Sequence, residues 1–259
     1  MAQFNDWCSS VDGKVGKHFR RVMTGNAAAL ASGIAATAAI VPGHYAAEER
    51  MAHVLRRLGK PAAAKLIEDK LPKTKQIRSG DLGEIYATEW IDAHGGGFRA
   101  PVKRLRWRDH RDMAMRGDDV IGMKLDDKTK RLLFLKTEAK SRGRLTAKVL
   151  AEARVGLDKD GGLPSAHALT FISECLFGMN ELQLVDAIDD AQRKHGIPPQ
   201  SVTHLTFVFT GNAPEALLTD AMQNYAGAIH QWGVGLHVDG HDKFIGAIYD
   251  KVVADAHKP

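Results

Sequence analysis

The sequence predicts an α/β fold, a mixed sheet flanked by helices and preceded by a helical N-terminal module. Three observations predict it. Apolar residues recur at helical spacing up to about residue 94, switch to strand-like runs over 98–137, and then alternate between helical and strand patterns to the C terminus. With 259 residues, 44% of them hydrophobic and 26% charged, the chain can bury a substantial core and is neither disordered nor fibrous in composition. Its two cysteines, Cys8 and Cys175, cannot build a disulfide framework or a four-cysteine zinc site, which fits a reducing, cytoplasmic setting.

Residues 1–75 read as a basic helical module. The small and apolar run 27–41 is expected as an alanine-rich buried helix ending near Val41-Pro42-Gly43, too short to span a bilayer. Its basic leader (Lys14, Lys17, Arg20, Arg21) is interrupted by Asp6 and Asp12 and makes a poor signal peptide, so no membrane partner is expected. Met51, Val54, Leu55 and Leu58 continue with helical spacing, and Lys73-Thr74-Lys75-Gln76 reads as a linker. The second domain is placed at 76–259 and opens with a helix over 79–91, capped by Ser79 and stopped by Gly95-Gly96-Gly97.

Strands follow at 98–105, 120–125 and 131–137, the last two joined by the polar turn 126–130. Helices are expected at 145–157, twice within 164–194, at 214–230 and at 243–256. Between them, 204–210 reads as a buried strand and 234–238 as a short one.

Charge is unevenly spread. Residues 1–78 carry a net +7, residues 79–149 carry +5, and residues 150–259 carry −7. A basic front joined to an acidic tail predicts a surface for a polyanion and a second surface with another task.

The chemistry concentrates in 117–144. If 119–125 and 132–138 pair as an antiparallel hairpin with Leu125 opposite Leu132, then Asp119 faces Glu138 across the open end. Opposed residues place their Cβ atoms about 4.5–5.5 Å apart. Lys140 follows Glu138 by two and leaves the same face. Two crowded carboxylates call for a neutralising cation, and an all-oxygen set suits Mg²⁺ or Mn²⁺. Glu84, on the preceding helix, is placed to add a third carboxylate, and Lys140 to orient a water and stabilise phosphate charge. Glu68-Asp69-Lys70 and Asp126-Asp127-Lys128 share the acid-x-Lys spacing, but only Glu138-Ala139-Lys140 ends an apolar strand whose hairpin partner begins with an acid. A solvent-facing charge cluster is the plain alternative.

These residues resemble the PD-(D/E)xK nuclease superfamily, with Glu84 on the first core helix, Asp119 opening the second strand and Glu138-x-Lys140 closing the third. Three segments are more closely similar to the HamA family, the nuclease subunit of the Hachiman anti-phage defence system. They are Ser79-Gly80-Asp81-Leu82-Gly83-Glu84, Arg116-Gly117-Asp118-Asp119-Val120-Ile121-Gly122 and Lys136-Thr137-Glu138-Ala139-Lys140-Ser141. The superfamily's proline before the acid is replaced by Asp118, which leaves Asp118 and Asp119 both open as the ligand, with Asp119 favoured by its register. The resemblance implies a restriction-endonuclease-like sheet, Mg²⁺-dependent DNA cleavage with Glu84, Asp119 and Glu138 holding metal, a helicase partner (HamB), and a role in phage defence. A catalytically silent nucleic-acid-binding or adaptor subunit is the alternative.

Arg104 and Arg106, within the crowd Arg99, Lys103, Arg104, Arg106, Arg108 and Arg111, and Arg142, Arg144 and Lys148 beyond the catalytic triplet, are the expected DNA contacts. His237-Val238-Asp239-Gly240-His241 has metal-like spacing but lacks a third ligand and reads as a surface loop.

Overall fold

Residues 1–115 and 117–258 are described by a computed structural model; Arg116 of the second motif lies outside them. Ten α-helices and six strands are defined there: α1 Phe4–Trp7, β1 Cys8–Val15, β2 His18–Gly25, α2 Leu30–Tyr45, α3 Glu48–Leu58, α4 Lys60–Lys70, α5 Lys75–His94, β3 Val120–Leu125, β4 Leu132–Arg142, α6 Ala147–Asp158, α7 Ala166–Gly178, α8 Leu182–Asp189, β5 Val202–Thr210, α9 Glu215–Gln223, β6 His230–His237 and α10 His241–Ala256. The strands form one mixed sheet in the order β1-β2-β6-β5-β4-β3. β1–β2 and β3–β4 are antiparallel hairpins, while β2, β6, β5 and β4 run parallel to one another. The α/β class, with a mixed sheet flanked by helices, is the one the sequence predicts.

The central strand β5 shows why. Leu205, Phe207, Val208 and Phe209 are all fully buried, the near-continuous apolar run of a parallel strand covered on both faces. Phe207 and Phe209 join Tyr86 and Trp90 of α5, Val41 and Tyr45 of α2, and Ile248 and Tyr249 of α10 in the main core. Val208 turns the other way, to Val149 and Leu150 of α6 and Leu218 of α9.

Three expectations need correction. Residues 8–25 are a strand hairpin rather than helix, and β2 pairs in parallel with β6, from Phe19↔Trp232 to Thr24↔His237. Phe4, Trp7 and Met23 sit in the same core as α5 and β5. The expected linker at 73–76 is the start of α5, with Thr74 as cap; its hydroxyl accepts from the Ile77 amide, and Ser79 lies inside the helix. The strand expected at 98–105 pairs only through Arg99↔Met123, and the chain then turns through a 3₁₀ segment, Arg104–Trp107.

α2 also runs on through Pro42 to Tyr45. With the preceding turn, Ala27–Tyr45 is long and apolar enough, by length and composition alone, to cross a membrane, with 33% of the span buried. Its buried face is anchored by polar contacts: Thr37 Oγ1 to Tyr86 Oη at 2.8 Å, His44 Nε2 to Glu89 Oε1 at 2.8 Å and Tyr45 Oη to Asp81 Oδ2 at 2.5 Å.

Candidate active site

β3 and β4 pair from Val120↔Thr137 to Leu125↔Leu132, so the next position beyond the ladder sets Asp119 against Glu138. The hairpin register is the expected one, set by apolar residues that must face the core on alternate positions. β4 is flanked on both sides. Gly83 of α5 lies against Ser141, and Gly156 of α6 lies against the Glu138 carboxylate, where a Cβ would fall 2.5 Å from Oε2. Residues 138 and 141 leave opposite faces of the strand. Glu84, next to Gly83 on α5, reaches the same end of the sheet, where Arg104 bridges it to Asp119.

Five ionisable side chains converge here. Lys140 Nζ donates to Glu138 Oε1 at 2.5 Å. Arg104, from the 3₁₀ segment, forms a fork on Glu84: Nε donates to Oε2 at 2.7 Å and Nη2 to Oε1 at 2.9 Å. The same Nη2 reaches Asp119 Oδ1 at 3.3 Å, and Nη1 donates to the Asp118 carbonyl at 2.9 Å. Asp119 Oδ2 accepts from the Ala139 amide at 2.9 Å. These side chains are 12–19% exposed, sheltered but open to solvent. Burial, with the neighbouring charges of Glu84 and Glu138, pushes the Asp119 carboxyl up to about 8, against the pull of Arg104 and the Ala139 amide.

Asp118 has a different task. Its Oδ2 accepts from the Ser165 amide at 2.9 Å and its Oδ1 lies 3.5 Å from Lys136 Nζ. Lys136, almost wholly buried, also donates to the carbonyls of Lys159 and Leu163 at 2.7 and 2.8 Å. Asp118 thus ties β3 to the segments around α6 and α7, leaving Asp119 as the acid that faces Glu138.

The expected DNA contacts divide. Arg142, Arg144 and Lys148 are exposed, as a phosphate-facing group requires. Arg104 is instead spent on carboxylates, and Arg106 Nε donates to the Gly43 carbonyl of α2 at 2.9 Å. Lys103 pairs with buried Glu89 at 3.3 Å, Arg108 with buried Asp81, and Arg111 with the carbonyls of Glu68 and Asp69 at 3.2 Å. Most of the basic crowd at 99–111 therefore fastens its own loop to α2, α4 and α5. His241, read as part of a surface loop, is buried, with Nε2 3.0 Å from Ser141 Oγ.

As donors, three carboxylates suit a hard divalent cation. Among the described residues, however, no group of three His, Cys, Asp or Glu side chains is arranged to hold a metal ion. The cationic place between Glu84 and Asp119 is filled by Arg104.

A family model for HamA matches residues 1–252. The chain belongs to the HamA family. It is also similar to the Hachiman protein HamA of Bacillus cereus, 29% identical over 123 residues that cover 48% of this chain and 42% of that protein. The matched stretch thus spans less than half of that relative. The HamA match reaches across the strand hairpin at 8–25 as well as the carboxylate site, in keeping with the single sheet that joins them.

Proposed function

We propose that this HamA-family chain is a Mg²⁺- or Mn²⁺-dependent DNA endonuclease of an anti-phage Hachiman system, cutting with little sequence specificity under the control of a helicase partner. The observation that carries the reading is the convergence of Glu84, Asp119 and the Glu138–Lys140 pair at one end of a hairpin in the required register. Glu84, Asp119 and Glu138 would hold the cation, which supplies Lewis-acid polarisation of a phosphodiester and a more acidic water. Lys140 holds a proton at the rim, where it orients the attacking water and offsets charge on the phosphate. The exposed Arg142, Arg144 and Lys148 bind backbone phosphates without reading bases.

Supercoiled plasmid incubated with the purified chain, with and without the helicase and Mg²⁺, tests the reading. Nicked or linear product only where Mg²⁺ is present supports it. Intact plasmid in every arm favours the second reading, a silent nucleic-acid-binding adaptor, to which the engagement of Glu84 and Asp119 by Arg104 and of Glu138 by Lys140 lends support.

Two further outcomes are expected. Replacing Arg142 and Arg144 with Ala lowers the slope of log affinity on log salt by about 0.9 per lost phosphate contact on duplex DNA; a fluorescence titration at several salt concentrations reads it, and an unchanged slope with altered sequence preference would instead mean base reading. Gly156→Ala forces the Glu138 carboxylate aside, because the added methyl needs its space. An interior helix Gly→Ala change otherwise raises stability by up to about 1 kcal/mol, so the variant should melt no lower than wild type yet cleave about 10²-fold more slowly. Wild-type rates would show that Glu138 is not held by this contact.

A further inference from the structure

We propose that Arg104 is a built-in counter-ion seated where the divalent cation must go, and that the site is loaded by exchanging this guanidinium for the metal. The proposal rests on the metal-nuclease reading above. Its grounds are geometric. A carboxylate donor has to present its oxygens to the ion, yet both oxygens of Glu84 are engaged by the fork of Arg104, at 2.7 and 2.9 Å, and one oxygen of Asp119 lies 3.3 Å from the same Nη2. Such bidentate, charge-assisted pairs are the strong ones, and a guanidinium held between Glu84 and Asp119 repels a divalent cation brought to the same oxygens.

The backbone under Arg104 is held firmly. Lys103 Nζ reaches Glu89 at 3.3 Å, Arg106 Nε donates to Gly43 O at 2.9 Å, Lys70 Nζ donates to Arg106 O at 3.2 Å, and Arg108 clamps Asp81. Exchange is therefore a swing of one side chain rather than an opening of the loop. A cavity of about 80 Å³, lined by Val102, Asp118, Val120, His167 and Phe171 as well as by Arg104 itself, adjoins the guanidinium and gives it a place to move. Until the swing occurs Arg104 offsets part of the negative charge of Glu84 and Asp119. The apparent metal affinity is correspondingly reduced by the fraction of molecules whose seat is free.

The test uses the full chain. Mn²⁺ binding is measured by calorimetry for wild type and Arg104→Met, which keeps the aliphatic stem and removes the charge. On wild type, the Arg104 Nε–H signal is followed by ¹⁵N NMR during a Mg²⁺ titration. Arg104→Met is expected to bind Mn²⁺ at least tenfold more tightly, and the wild-type Nε–H signal to move on saturation with Mg²⁺ as its bond to Glu84 breaks. Equal or weaker Mn²⁺ binding by a folded Arg104→Met, or an Nε–H signal unmoved at Mg²⁺ saturation, overturns the exchange while leaving the metal site in place. If neither folded protein takes up either metal, the metal-nuclease reading falls and the exchange with it. Should Arg104→Met fail to fold, the wild-type signal alone decides.

Discussion

Glu138→Ala combined with Lys140→Ala is expected to lower Mg²⁺-dependent plasmid cleavage by about 10³-fold or more, since on the proposed reading it removes a carboxylate that would hold the metal and the group that would manage the water proton. The fold should survive. Both side chains leave β4 beyond its last pair with β3, neither belongs to the hydrophobic core, and their charges neutralise each other at 2.5 Å. Removing both partners of an ion pair strands no lone charge, whereas removing one would. Gel analysis of plasmid conversion, with circular dichroism melts as the folding control, reads both halves. Unchanged nicking by the double variant would dismiss the site assignment.

The legible part of this site was local. The β3–β4 register follows from two apolar runs of equal phase joined by Asp126-Asp127-Lys128-Thr129-Lys130, and that register alone opposes Asp119 to Glu138. The illegible part is long-range. β1 is an edge strand whose residues 9–12 are exposed, so it carries no apolar alternation to announce it. Its hairpin partner, β2, finds β6 some two hundred residues later, where no local pattern can point. Arg104 looked like one of several surface arginines; its carboxylate lies on a helix twenty residues earlier, a spacing without periodic meaning. Gly156 did leave a trace, because a glycine inside a helix costs up to about 1 kcal/mol against alanine and needs a reason such as the close approach of Glu138.

One of the contacts that fasten the loop delivering Arg104 is a buried ion pair, and its loss should be costly in a pH-dependent way. Arg108 Nη1 donates to Asp81 Oδ2 at 2.8 Å and Nη2 to Oδ1, and both side chains are 5% exposed or less. Tyr45 Oη donates to the same carboxylate and lies 2.9 Å from Tyr249 Oη, so the pair joins α2, α5, α10 and the loop. Burial lifts the Asp81 carboxyl to about 6 even though Arg108 and Tyr45 pull it down. Its folded value thus exceeds the unfolded one near 3.8, so ionising Asp81 opposes folding increasingly as pH rises from about 4 to 6, by about 1.4 kcal/mol per pH unit. Arg108→Met removes the main charge compensating that carboxylate, which lifts Asp81 further and extends the penalty to higher pH. Breaking a buried pair from one side costs about 3–5 kcal/mol. That loss is expected at pH 7.5, where wild-type Asp81 is ionised, and should shrink by pH 5, where Asp81 holds its proton in both proteins. Adding Asp81→Asn to Arg108→Met should recover much of the loss at pH 7.5, because no unpaired charge is then buried. Urea unfolding of the three proteins at the two pH values measures this, and a destabilisation by Arg108→Met that is the same at pH 5 and 7.5 would show that the Asp81 charge is not what Arg108 holds in place.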